Sequence, residues 1–136
     1  MGQQQILLIV LSVILVGVAV AIGISMFRDN AINANRDAIY SDLSNFAANA
    51  YKYKMSSSNM GGGGGAYTNL SATHMGSVFA AGSTGNENAS YGFVVDNANQ
   101  VTITGTGKQG ATPWIIVCVV DGAGNTSYTV TQTGSY

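Results

Sequence analysis

His74 and Cys118 are the single histidine and single cysteine of this 136-residue chain, and they are its natural candidates for nucleophilic or metal chemistry. A Ser-His-Asp relay needs a carboxylate to orient the imidazole, and no acid lies closer in sequence to His74 than Glu87. One His and one Cys also fall short of the four ligands of a structural zinc site. Cys118 has no partner for an intrachain disulfide and reads as a small buried hydrophobe between Val117 and Val119. The stretches DNANQ and DGAGN, beginning at Asp96 and Asp121, offer oxygens to a cation. Both lack the regular D-x-[DN]-x-[DN]-G ligand series, so turn formation explains them better than calcium. Five consecutive glycines, Gly61 to Gly65, are not followed by the Lys and Ser/Thr of a phosphate-binding loop. Tyr40, Phe46, Tyr51 and Tyr53 could be cast as an electron path, but packing accounts for them more simply. Asn69, Asn88 and Asn125 begin N-x-[ST] glycosylation patterns, at the frequency this Asn, Ser and Thr content yields by chance. The basic residues Arg28, Arg36, Lys52, Lys54 and Lys108 are scattered and form no stripe that could track a phosphate backbone. The residues therefore point away from an enzyme, a metal or cofactor protein, and a dedicated nucleic-acid binder.

The organisation of the chain is more informative. Residues 6–27 are apolar without one charge, and a helix of roughly 22 residues spans about 30 Å of hydrocarbon. The run lacks the basic leading region and small-x-small site of a secretory signal. Ile6 also stands where a myristoylation pattern needs Ser or Thr. Arg28, beside Asp29, gives a single weak vote for a cytoplasmic flank. Gly17, Ala21 and Ser25 recur at spacing four, with Ala19 and Gly23 read beside them as one stripe of small residues. Such a stripe lets helices approach closely, while a plain anchor with incidental glycines is the alternative. Gln3, Gln4 and Gln5 precede the run as a polar cap or, alternatively, a solvated tail.

From residue 28 the pattern becomes one-sided. Ile32, Ile39, Leu43, Phe46, Ala50 and Tyr53 fall at helical spacings with no proline between them. The sequence predicts one helix over residues 3–55, roughly 80 Å long, with a hydrophobic half (1–27) and an amphipathic half (28–55). A glycine-rich flexible linker and irregular loop follow at 56–90, with one short turn of helix or strand near Val78 and Phe79. Residues 91–136 read as an antiparallel sheet of four strands: YGFVVD, QVTITG, WIIVCVV and SYTVTQT. WIIVCVV is apolar on both faces, as a central strand is, and Pro113 stands just before it. The shared form V-V-D-x-A-x-[QN] at Val94 and Val119 predicts two similar hairpins. The fold class is α+β, a long helix packed on a β-meander. Charged residues make up 8% of the chain, against roughly 25% in ordinary domains. A surface so poor in charge, on a water-facing part of only some hundred residues, suits a protein supported by neighbours or by a long packed helix.

This arrangement resembles a type IV pilin or pseudopilin: a short polar start after Gly2, an apolar helix running into an amphipathic one, a glycine-rich loop and a terminal antiparallel sheet. The resemblance implies a structural subunit held in the inner membrane before assembly. Pilus assembly machinery would then pack its first half-helix into the core of a homopolymeric extracellular filament serving adhesion or motility. It also implies cleavage after a glycine and a Glu five residues further on; a cut after Gly2 would put Leu7 at that place. Family members often carry a proline near the end of the apolar segment, whereas this chain has only Gly17 and Gly23, so a more continuous helix is expected. A pseudopilin of type II secretion, or a monomeric membrane-anchored binding module, are the alternatives.

Overall fold

The computed structural model describes residues 2–76 and 85–135, and the chain divides into two units, Met1–Ala31 and Ile32–Tyr136. The short turn expected near Val78 and Phe79 lies outside the described residues. Helix α1 runs Gly2–Met55 without interruption, in agreement with the absence of proline. Four strands follow: β1 (Ala89–Asn97), β2 (Gln100–Gly107), β3 (Ile115–Val120) and β4 (Thr126–Gln132). They form one antiparallel sheet in the order β1-β2-β3-β4, the α+β meander that the alternating patterns predict.

In the second unit, α1 buries the stripe anticipated from spacing. Ile32, Ile39, Leu43, Phe46, Ala50 and Tyr53 are all in the core. The seven-residue step between Ile32 and Ile39 is filled by Asn35, only 6% exposed, whose Nδ2 donates to the Asn88 carbonyl at 2.7 Å. The facing side of the sheet supplies Tyr91, Val101, Ile103, Ile116, Cys118 and Val120. Two glycines on β2 let the helix come close. A Cβ at Gly105 would stand 2.9 Å from the Ile39 side chain, and one at Gly107 would stand 2.5 Å from Asn35 Oδ1. Trp114, just before β3, donates its indole N–H to the Ile32 carbonyl at 3.2 Å, so a buried aromatic meets its polar requirement on the helix backbone. β3 lies between β2 and β4, the interior place its apolar pattern predicts. Its Ile116, Cys118 and Val120 are buried, whereas Ile115, Val117 and Val119 on the other face remain half-buried.

Two expectations need correction. The glycine run is a built helix cap instead of a flexible linker. The N–H groups of Gly63 and Gly65 donate to the carbonyls of Tyr53 and Lys54 at 2.8 and 2.7 Å, satisfying acceptors that the end of α1 leaves open. Gly64 and Gly65 have φ of 60° and 100°, which only glycine adopts at little cost. The two hairpins also differ. β1 and β2 close with Asn97 opposite Gln100 after a bulge at Asp96. β3 and β4 instead part at Val120 and Thr126, leaving a five-residue loop from Asp121 to Asn125. In that longer loop the Asp121 carboxylate accepts the N–H groups of Ala123 and Asn125, both at 2.9 Å. Asp96 does not cap its own turn; Thr102 donates to it across the hairpin at 2.5 Å.

Both hairpin turns are held from the loop side. Tyr67, fully buried, takes the Ala98 carbonyl with its N–H at 2.9 Å and the Asp121 carbonyl with its hydroxyl at 2.9 Å. Lys54, at the end of α1, donates to the Gly122 carbonyl. Burial, with Asp121 nearby, pushes the Tyr67 phenol above its ordinary range.

Candidate membrane and assembly surface

The first unit is entirely helical over its described residues, and its apolar side chains face outward. Leu7 is 68% exposed and Phe27 75%, and the apolar window of α1 buries none of its residues within the chain. Burying such a surface is favourable by about 25 cal/mol per Å², and its length and composition are compatible with a membrane-spanning helix. It is the one helix among the described residues long and apolar enough to cross a membrane.

The small residues acquire a more definite geometry on this helix. At about 100° per residue, Gly17, Ala21 and Ser25 form one row, and Ala19 and Gly23 form a second row on nearly the opposite side. The single stripe expected from the sequence is thus two separate rows. A Cβ at Gly17 or Gly23 would meet no atom within 4 Å, so packing inside the chain gives no reason for glycine at either place. Ser12, further toward the start, bonds its hydroxyl back to the Leu8 carbonyl at 2.7 Å, which hides its polarity in the helix. Gln3, Gln4 and Gln5 lie inside the first turns of α1 and are exposed. They fan around the axis in a region where the helix leaves backbone N–H groups without intrahelical acceptors.

The remaining candidates fall in the second unit. His74 belongs to a one-turn helix α2 (Ala72–Met75), with Nδ1 3.2 Å from the Ser71 N–H and its ring 4.2 Å from that of Tyr53. A backbone N–H can only donate, so Nδ1 is the acceptor and the imidazole acts as a local cap. Cys118 is buried beneath the helix, and desolvation pushes its thiol up, away from a reactive thiolate. Among the described residues no group of His, Cys, Asp and Glu could hold a metal. Of the three sequons, Asn69 and Asn125 are exposed in turns, whereas Asn88 is half-buried with its carbonyl bonded to Asn35. An open cleft of about 240 Å³ lies beside the glycine cap, lined in part by Lys52, Ser56 and His74. A groove of about 310 Å³ runs between α1 and β4, lined by Ala47, Ala48, Tyr51 and Tyr128 among others.

One polar cluster had no signal in the sequence. Asp42 on α1 accepts the Tyr91 hydroxyl at 2.5 Å and the Asn86 side-chain amide at 2.9 Å. Burial, then the hydrogen bond and charge of Asp42, push the Tyr91 phenol far above its ordinary range. Asn86 in turn accepts the N–H groups of Asn88 and Ala89 through Oδ1 at 2.9 and 3.1 Å, and Lys108 donates to its main-chain carbonyl at 2.6 Å. These residues are separated by as many as 66 positions in sequence (42 to 108), so only the fold brings them together.

No protein-family model matches the chain, and neither does any curated protein or solved structure.

Proposed function

We propose that this chain is the major structural subunit of a type IV pilus-like helical filament. The observation that carries the reading is the helix half at residues 6–27, apolar on every side and buried nowhere within its own chain. In this proposal the apolar half holds the subunit in the inner membrane before assembly. Assembly machinery then transfers it into a bundle of identical helices, and the unit Ile32–Tyr136 forms the outside of the polymer. The charge-poor composition supports this, because neighbouring copies would cover a surface built of Thr, Ser, Asn and small apolar residues. The glutamines provide a polar end without a full charge, and so avoid the desolvation cost of an ion pair in the bundle. Adhesion or motility is the corresponding role at the cell surface.

Electron microscopy of sheared cell-surface material tests the proposal. Filaments whose mass spectrum returns this chain as the main component support it. Recovery of the chain solely as a membrane-held monomer would favour an anchored binding module instead.

A further inference from the structure

We propose that Asn86 and Lys108 are the two halves of an internal amide cross-link. The side-chain amide of Asn86 is held at both its oxygen and its nitrogen. Its oxygen accepts two backbone N–H groups, from Asn88 and Ala89, at 2.9 and 3.1 Å, the arrangement that stabilises negative charge developing on a carbonyl oxygen under attack. Its nitrogen donates to the Asp42 carboxylate at 2.9 Å, a base placed to relay a proton from an attacking amine to a departing one. Asp42 is itself held by the Tyr91 hydroxyl at 2.5 Å. The nucleophile is delivered to the same residue: Lys108 Nζ stands 2.6 Å from the main-chain oxygen of Asn86. Rotation about the flexible lysine stem is the movement required to carry Nζ from that oxygen to Cγ.

The reaction balances without a cofactor or oxidant. The Lys108 ammonium releases a proton to solvent, to which the side chain is exposed, and the free amine attacks Cγ of Asn86. The tetrahedral oxyanion rests on the N–H groups of Asn88 and Ala89. The Lys108 nitrogen of that intermediate gives its extra proton to the Asp42 carboxylate, which passes it to Nδ2; the bond from Cγ to Nδ2 then breaks and ammonia departs. One ε-amine and one carboxamide become one secondary amide, with no change of oxidation state. Holding both groups in a single fold makes the step intramolecular, which offsets a slow intrinsic rate. The bond would tie the segment before β1 to the end of β2, closing the open end of that hairpin.

Mass spectrometry of the purified full-length chain in detergent, followed over days at 37 °C, is the test. The cross-link lowers the mass by about 17 Da, one ammonia, and proteolysis yields a branched peptide joining residues 86 and 108. Cyclisation of a glutamine freed at the N-terminus would lose the same mass, so the branched peptide and the Lys108→Arg variant decide the matter. Lys108→Arg keeps the charge and a hydrogen-bond donor, and it should abolish both the branched peptide and the loss assigned to it. Asp42→Asn should slow the reaction while circular dichroism shows the fold retained. A wild-type chain that yields no branched peptide, or a mass loss unchanged in Lys108→Arg, overturns the proposal.

Discussion

Individual side chains in the second unit have roles that follow from how each one meets its neighbours. Ile39 is wholly buried between α1 and β2, with Gly105 and Gly107 set against it. Ile39→Ala should therefore cost about 2–5 kcal/mol, read as a lowered denaturation midpoint with unchanged slope in urea. Asp121 illustrates the pH dependence of a turn. The N–H groups, Asn125 first, hold its carboxyl below the usual carboxylate range. A folded-state pKa below the unfolded one contributes stability above the unfolded value of about 3.9, and that contribution is lost as pH falls through the lower folded value. Asp121→Asn should then lie closest to wild type in acid and differ most at neutral pH, as thermal melts across that range will show. Tyr91 acts in the opposite direction. Its phenol is raised in the fold, so the folded state keeps a proton that the unfolded chain releases above about pH 10, and stability should fall as pH rises beyond that point. Tyr91→Phe should flatten this alkaline loss even though it removes a hydrogen bond.

At the scale of elements, the parts of the fold governed by periodicity were legible in the sequence, and those governed by distant partners were not. The stripe from Ile32 to Tyr53 and the alternation in three strands located α1 and the meander, because burial on one face imposes a period on the residues, while the continuous apolar run WIIVCVV marked the interior strand. Asn35 carries no signal of its burial because a polar residue interrupts an apolar pattern, and the carbonyl that accepts from its Nδ2 lies 53 residues away. Tyr67 has no counterpart in the sequence reading, since nothing local marks the two turns that it joins. The glycine run read as a spacer because its composition shows permissive backbone but not which carbonyls it will cap. The two small-residue rows on α1 were visible as spacing and became two faces only when placed on a helix. These rows yield a prediction at the same scale. Leu at Gly17 or Ala21, or at Ala19 or Gly23, should leave membrane insertion intact and block assembly, since added volume separates helices without lowering hydrophobicity. Membrane fractionation beside filament yield distinguishes the two effects, and normal yield from every variant would return the helix to a plain anchor.

For the whole molecule, the division at residues 31 and 32 suggests a simple separation of tasks. Deleting residues 1–27 should give a soluble monomer with the sheet intact, seen by sedimentation and circular dichroism, because the buried stripe from Ile32 to Tyr53 is retained. Replacing Gln3, Gln4 and Gln5 together by Leu should strand subunits in the membrane or produce irregular polymers, whereas Gln5→Asn should change little. Because the proposed polar end carries amides in place of a carboxylate, filaments should survive a fall in pH through about 4, which negative-stain microscopy can follow. Helical reconstruction of the filament tests the central claim most directly. The account predicts that residues 2–27 of many copies pack at the axis, with the unit Ile32–Tyr136 outside. A filament whose axis is built from that second unit, with the apolar helices elsewhere, would contradict it.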